Sequence, residues 1–123
     1  MKRIELKSLV FALCITLGVA SPVFAEDQGV TLINVFEVPA DKLDESIAMW
    51  EQARDFLQAQ PGYIATALHQ SVQDDARFRL INIAKWESAA AFMAATQSMR
   101  ETAGLQQIDG LHATPGLYTV IRD

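Results

Sequence analysis

Apolar positions alternate with a period of two in four segments of the chain, and this pattern predicts four β-strands. In the third segment, every second residue from Phe78 to Trp86 falls on one face, and that face includes Asn82. A polar tract around Asp74 separates this segment from the one before it. The predicted strands cover residues 30–38, 63–72, 78–86 and 115–122.

Two helices are predicted between these strands. Leu43, Ile47 and Trp50 begin an apolar series with steps of three and four, which indicates an amphipathic helix of about five turns. Asp41 is the expected N-cap of this helix, and Ser88 is the expected N-cap of an alanine-rich second helix. Residues 99–114 have a weaker pattern, which suggests helix followed by loop. The resulting order, β-α-β-β-α-β, predicts an α+β, ferredoxin-like fold.

The first strand has two apolar faces. Leu32 and Phe36 share one face, and Ile33 and Val35 share the other. A strand with one face in water would alternate more cleanly between apolar and polar residues. The helices of one chain cover only one face of its sheet, so a second copy of the sheet is the economical cover. This pattern predicts a homodimer.

The amino terminus reads as an export signal. Lys2, Arg3 and Lys7 precede an apolar run at 8–20, and small residues lead to an expected cleavage after Ala25. The alternative is a membrane anchor, for which the run is short, because a helical span needs about 20 apolar residues. We therefore predict a signal peptide at 1–25, a domain at 26–123, and a secreted or periplasmic location.

Composition limits the partners of the predicted mature domain. Removal of 1–25 takes away three basic residues and Glu5, leaving 7 basic and 14 acidic residues, a formal charge of −7. Such an acidic domain is a poor match for nucleic acid or for an anionic membrane surface. It has no cysteine, since Cys14 lies in the signal. His69 and His112 have no Glu or Cys at ligand spacing, so no metal site is predicted.

Three residues of the central hairpin are candidates for chemistry, and each has a structural alternative. Asn82 interrupts an apolar strand, so its amide is either hydrogen-bonded in the core or lines a cavity. Trp86 is either a core residue that holds the second helix or a wall of the same cavity. His69 shares its predicted face with Tyr63 and is either a structural histidine or a base that removes a phenolic proton. Asn34 in the first strand has the same two readings as Asn82.

The run Asn-x-x-x-Trp-Glu-Ser at 82–88 follows a strand that begins just after Pro61-Gly62. This combination resembles the centre of the antibiotic biosynthesis monooxygenase (ABM) family, for which it is fairly specific, and the resemblance covers nearly all of the chain after residue 29. The resemblance implies a dimeric α+β barrel and, in several members, cofactor-free oxidation of quinols or phenols. The matching segments are 34–39, 61–63, 68–71, 82–88 and 116–118.

The resemblance also implies roles for individual residues. Asn82 falls where actinorhodin-type oxygenases carry a catalytic asparagine, and Trp86 matches a tryptophan near their substrate. Arg100 lies near an arginine that faces their pocket, and Asn34 corresponds to a ligand-contacting asparagine of the haem-degrading branch. Phe92 replaces a tyrosine that the actinorhodin-type members use. Ala95 and Leu105 stand near the places of the tryptophan and histidine on which the haem-degrading branch relies.

These observations predict an exported monooxygenase of ABM type that needs no cofactor and acts with O2 on a small aromatic, quinol-like substrate. The sequence contains no Ser-His-Asp set, phosphate loop or flavin fingerprint. The predicted catalytic residues are Asn82, His69 and Trp86, and the predicted substrate-binding residues are Asn34 and Arg100. Two alternatives stay open: a ligand-binding protein without catalysis, and a haem-binding or haem-degrading protein.

Overall fold

The computed structural model describes residues 29–123, so the predicted signal peptide at 1–25 lies outside the described residues. Six elements follow one another in the predicted β-α-β-β-α-β order. No helix within this range has the length and apolar character needed to cross a membrane. The elements are β1 (Val30–Glu37), α1 (Leu43–Leu57), β2 (Tyr63–Gln70), β3 (Leu80–Trp86), α2 (Ala89–Thr102) and β4 (His112–Tyr118).

The four strands form one sheet in the order β2-β3-β1-β4, with every neighbouring pair antiparallel. β1 is central, and its Asn34 lies directly opposite Asn82 of β3. On the other side of β1, Asn34 lies opposite Pro115 of β4. The prediction of a ferredoxin-like α+β fold is therefore confirmed.

The two helices cover one face of the sheet, which we call the inner face. Its buried strand residues alternate as the sequence pattern predicted, and the small Ala95 of α2 packs onto them. The side chains between these positions point to the opposite, outer face. The buried apolar residues are Leu32 and Phe36 of β1, Leu80, Ala84 and Trp86 of β3, and Ala95 of α2.

A β-bulge at Ile64 interrupts the alternation of β2. Tyr63 pairs with Trp86 and Ala65 pairs with Lys85, so Ile64 is an extra residue in β2 with no partner in β3. The side chain of Ile64 is 55% exposed. After the bulge the even-numbered residues face inward, so the prediction that His69 shares a face with Tyr63 is wrong. A single extra residue reverses every later side chain of the strand.

The ends of several elements differ from the sequence predictions. Lys42, not Asp41, occupies the N-cap position of α1, and no side chain caps this helix. Ser88 caps α2 as predicted, since its Oγ accepts from the backbone N–H of Ala91 at 3.1 Å. β4 begins at His112, which was predicted to lie in a loop, and it ends at Tyr118, short of the predicted 122.

The turn before β2 is locked against the start of α2. Gly62 has a φ of 88°, in the left-handed region that disfavours side chains. A Cβ at this position would collide with the Cβ of Ala91. The carbonyl of Gly62 also accepts a hydrogen bond from the N–H of Glu87 at 2.8 Å. The turn therefore fixes where β2 begins relative to β3 and α2.

We expect Gly62→Ala to lower the free energy of unfolding by on the order of 3 kcal/mol, since backbone strain and overpacking each cost about 1–3 kcal/mol. Gly104→Ala is the matched control, because Gly104 has a φ of 59° and a Cβ there would meet no atom within 4 Å. The control should lose only about 1 kcal/mol. Urea denaturation of both variants measures the difference in the free energy of unfolding. Equal losses in the two variants would show that Ala91 can move away from the added Cβ without destabilising the fold.

Candidate active site

A cavity of about 350 Å³ lies between the inner face of the sheet and the two helices. All four strands, both helices and Leu105 of the following loop contribute to its wall. The volume falls within the usual range for small-molecule sites, which is about 300–1,000 Å³. The cavity is therefore large enough for a small aromatic ligand.

The wall of the cavity is mainly apolar and aromatic. Among residues 29–123, its only charged members are Arg54 near the end of α1 and Arg100 near the end of α2. The same part of the chain contributes no Asp, Glu, His or Cys to the wall. Such a lining favours a ligand that is apolar overall and that is neutral or negatively charged. The aromatic members are Phe36, Trp50, Tyr63, Trp86 and Phe92.

Two asparagine side chains from neighbouring strands interrupt this apolar wall. Asn82 lies in the middle of β3 and is only 8% exposed. Its Oδ1 accepts a hydrogen bond from the hydroxyl of Thr66 at 2.6 Å. Asn34 lies opposite Asn82 on β1, and its buried Oδ1 has no hydrogen-bond partner among the residues that the structure describes. Since directly opposed residues have Cβ atoms about 4.5–5.5 Å apart, both amides can reach one ligand group.

Trp86 closes one end of the cavity and belongs to the core at the same time. It is 1% exposed and packs edge-on against Tyr63 and Phe92, at centroid distances of 5.6 Å and 5.7 Å. Such T-shaped pairs contribute about 0.5–1.5 kcal/mol each beyond their buried area. The two readings of Trp86 are therefore compatible, since one indole holds the first turn of α2 and lines the cavity.

Two arginines reach the cavity from the helices. Arg100, predicted as a substrate-binding residue, lines the cavity but is exposed to solvent. Arg54 packs over the ring of Trp50 at 5.3 Å, and its Nη2 lies 3.1 Å from Asp55 Oδ1. The sequence analysis did not predict Arg54 as a site residue. Its spacing of four from Trp50 in α1 was the one signal that its side chain faces inward.

His69 lies apart from the other four predicted residues. It pairs with Ile81 across the strands, on the outer face, and it does not line the cavity. Its Nδ1 is 3.3 Å from the carbonyl oxygen of Ile81. The structure thus brings Asn34, Asn82, Trp86 and Arg100 to one cavity and leaves His69 outside it. The bulge at Ile64 accounts for this separation.

The same bulge brings to the cavity a residue that the sequence did not predict. Thr66 faces inward beside Asn82, although regular alternation from Tyr63 would have turned it outward. Its only sequence signal was a hydroxyl in a strand of small apolar residues. Within residues 29–123, no group of three or more His, Cys, Asp or Glu side chains could hold a metal ion.

Comparison with known proteins agrees with this fold. The sequence model of the antibiotic biosynthesis monooxygenase (ABM) family matches residues 29–104. The protein therefore belongs to the ABM family. No protein with a curated description matches the sequence.

Solved structures give the same result. A protein of Shewanella loihica PV-4, predicted to be a monooxygenase, is 51% identical, with a TM-score of 0.73 over 78% of this chain and 97% of its own. SnoaB, a cofactor-independent oxygenase from Streptomyces nogalater, shares the fold at 22% identity and a TM-score of 0.57, over 78% and 96% of the two chains. The heme-degrader MhuD from Mycobacterium tuberculosis, solved with two hemes bound, is 26% identical, with a TM-score of 0.58 over 76% and 97%.

The two asparagines should differ in their effect on stability. Asn34→Leu removes a buried oxygen that has no partner, so the free energy of unfolding should stay within about 0.5 kcal/mol or rise. Asn82→Leu, the matched variant, leaves the Thr66 hydroxyl without its acceptor and should cost about 1–3 kcal/mol. Urea denaturation measures both. A larger loss for Asn34→Leu would mean that its amide stabilises the fold.

Proposed function

We propose that this protein is a cofactor-independent monooxygenase that oxidises a small aromatic hydroquinone or phenol with O2. The observation that carries the proposal is the pair of amides, Asn34 and Asn82, in an otherwise apolar and aromatic cavity. Membership of the ABM family supports an oxygenase. The neighbours described as monooxygenase and oxygenase agree with this class of reaction.

The proposed reaction balances without an external reductant. A phenol and O2 give a quinone and water: one oxygen atom replaces a ring hydrogen, and the other leaves as water. The substrate supplies four electrons in all. Ionised substrate is the electron donor to O2, and combination of the resulting radical pair forms a hydroperoxide that loses water. The protein contributes orientation, exclusion of bulk water and stabilisation of the anion.

The residues around the cavity divide this work. The Nδ2 group of Asn82 donates to the substrate oxygen as negative charge develops there, and Asn34 binds the same end of the ligand. Trp86 forms an apolar wall against the aromatic ring. Arg100, which is exposed, and Arg54, which pairs with Asp55, add positive charge to the cavity wall and attract an anion, although solvent screens this attraction. Among residues 29–123, the wall holds no carboxylate or imidazole that could act as a general base.

Oxygen uptake with a panel of hydroquinones and phenols tests the proposal. Asn82→Ala should lower kcat by about 10²–10³, since loss of one oxyanion donor typically costs that much. The variant should also lose some stability, because the Thr66 hydroxyl loses its acceptor, so kcat is compared per folded molecule. A purely structural Asn82 would leave kcat per folded molecule unchanged. Absence of substrate-dependent uptake by the wild type across the panel would refute the proposed activity.

The pH dependence identifies the source of the proton transfer. Because the cavity wall has no carboxylate or imidazole, kcat/KM should rise with pH and follow the pKa of each substrate's own phenol group. Two hydroquinones of different acidity should therefore give profiles with different midpoints. His69→Ala tests the predicted base directly: a base would give a variant that is slow at neutral pH and partly rescued at high pH. The outer-face position favours an unchanged profile.

Haem binding is the second candidate function. The observation in its favour is the 26% identity to MhuD, a heme-degrader. Haem iron is usually held by His, Cys, Met or Tyr. Among residues 29–123, His69 and His112 both lie outside the cavity wall, which leaves Met49, Met99 and Tyr63. A haem titration with a Soret shift and loss of haem on reduction would favour this function.

Tight binding of an aromatic ligand without oxygen uptake would favour a binding protein.

We also propose that the protein works as a homodimer joined through the outer face of its sheet. Ile33, Val35, Ile81 and Ile83 share this face, and Ile83 is exposed in the single chain. Helices cover only the inner face, so an apolar sheet surface remains.

Light scattering should give about twice the mass of one mature chain, and Ile83→Glu should halve it, since a buried charge opposes association. Met93→Glu is the matched control, because Met93 is also exposed but lies on α2. A wild-type protein that stays monomeric at micromolar concentration would contradict the proposed dimer.

Export from the cytoplasm is a separate proposal, which depends on the basic and apolar pattern of residues 1–25. The protein isolated from its source should begin at Glu26 by mass spectrometry. An intact amino terminus in the membrane fraction would indicate an anchor instead.

A further inference from the structure

Thr66 makes one side-chain hydrogen bond in the described structure, and its partner is the amide of Asn82. The two residues are diagonal neighbours on the inner face, since Thr66 pairs with Ala84 and Asn82 pairs with Leu68. The Oγ1–Oδ1 distance of 2.6 Å is typical of O–H···O bonds and short for N–H···O bonds. With Oδ1 placed toward Thr66, the hydroxyl donates and the amide oxygen accepts.

With Oδ1 bonded to Thr66, the NH2 end of the Asn82 amide is the end that faces the ligand. An asparagine side chain presents a carbonyl on one side and an NH2 group on the other, and the two ends exchange by rotation of the amide. The Thr66 hydroxyl occupies Oδ1, which leaves the two N–H groups of Asn82 for the cavity. With the amide reversed, a carbonyl dipole would oppose negative charge on a substrate oxygen.

We propose that Thr66 is a positioning residue that fixes the Asn82 amide with its NH2 group toward the substrate oxygen. The proposal rests on the proposed function, because the benefit appears only when an oxyanion develops there. Preorganised donors stabilise such charge without reorganisation during the reaction. Thr66 acts through Asn82 in this role.

The β-bulge gives this role a structural cause. Thr66 lies three residues after Tyr63, so in a regular strand the two side chains would point to opposite faces. The extra residue, Ile64, brings both side chains to the inner face. Bulges often occur beside active sites, where they redirect a side chain.

Two substitutions separate the hydroxyl from the shape of the side chain. Thr66→Val keeps the shape and removes the donor, and Thr66→Ser keeps the donor and removes a methyl group. Thr96→Val is a spectroscopic control, because Thr96 also lines the cavity but its hydroxyl donates to the carbonyls of Phe92 and Met93. All three variants can be compared at equal folded concentration.

The first measurement needs no substrate. In the 15N spectrum of the free protein, the side-chain NH2 signals of Asn82 should shift and broaden in Thr66→Val, because the amide gains a second orientation. Thr66→Ser and Thr96→Val should retain the wild-type signals. Unchanged Asn82 signals in Thr66→Val would overturn the proposal, whatever reaction the protein catalyses.

The second measurement uses a substrate that the wild type oxidises. Thr66→Val should lower kcat about ten-fold or more, while KM changes by no more than about two-fold, and Thr66→Ser should restore most of the loss. A lower melting temperature with kcat retained would show a purely structural hydroxyl and overturn the proposal. If the wild type oxidises no substrate, the proposed function fails, and the Asn82 signals still decide the role of Thr66.

Discussion

The arrangement of the candidate site depends on one irregularity, the β-bulge at Ile64 in β2. Before the bulge, the turn at Gly62 packs against α2, and this contact fixes the register in which β2 begins. Downstream of it, pairing with β3 resumes with the side chains reversed. The bulge therefore brings Tyr63 and Thr66 to the cavity together and turns His69 away. Its structural cost is one unpaired residue whose side chain lies largely in solvent.

The centre of the sheet carries the buried core and the candidate site on one face. Most inner positions of β1 and β3 are buried and apolar, and they hold the helices in place. Asn34 and Asn82 break this pattern at one cross-strand pair, and Asn34 Oδ1 has no partner. An unpaired buried carbonyl opposes folding, and such costs are characteristic of sites under functional constraint. The aromatic contacts of Trp86 stabilise the same region from the end of β3.

Much of this architecture could be predicted from the sequence, and the failures have physical causes. The spacing of apolar residues predicted all six elements and their order. Alternating apolar residues in the strands, and apolar residues three and four apart in α1, mark the side chains that are buried. It placed Asn34, Asn82 and Trp86 on the inner face for the same reason. It failed for His69 and Thr66, since a bulge adds one residue without a distinctive local pattern. It also placed β4 too late, because Ala113 and Pro115 are exposed inner positions without an apolar signal.

In the proposed reaction, the substrate itself would supply the ionised group, because the described cavity wall has no carboxylate or imidazole to create it. A site without carboxylate or imidazole, in a wall of aromatic rings, amides and two arginines, can bind and polarise an anion but has little means to create one. A substrate that ionises readily and reduces O2 by itself suits such a site. Haem chemistry would need an iron ligand, and the two histidines of the described chain lie elsewhere. One sheet-and-helix frame can thus host different oxidations, since a few inner positions decide which ligand is held.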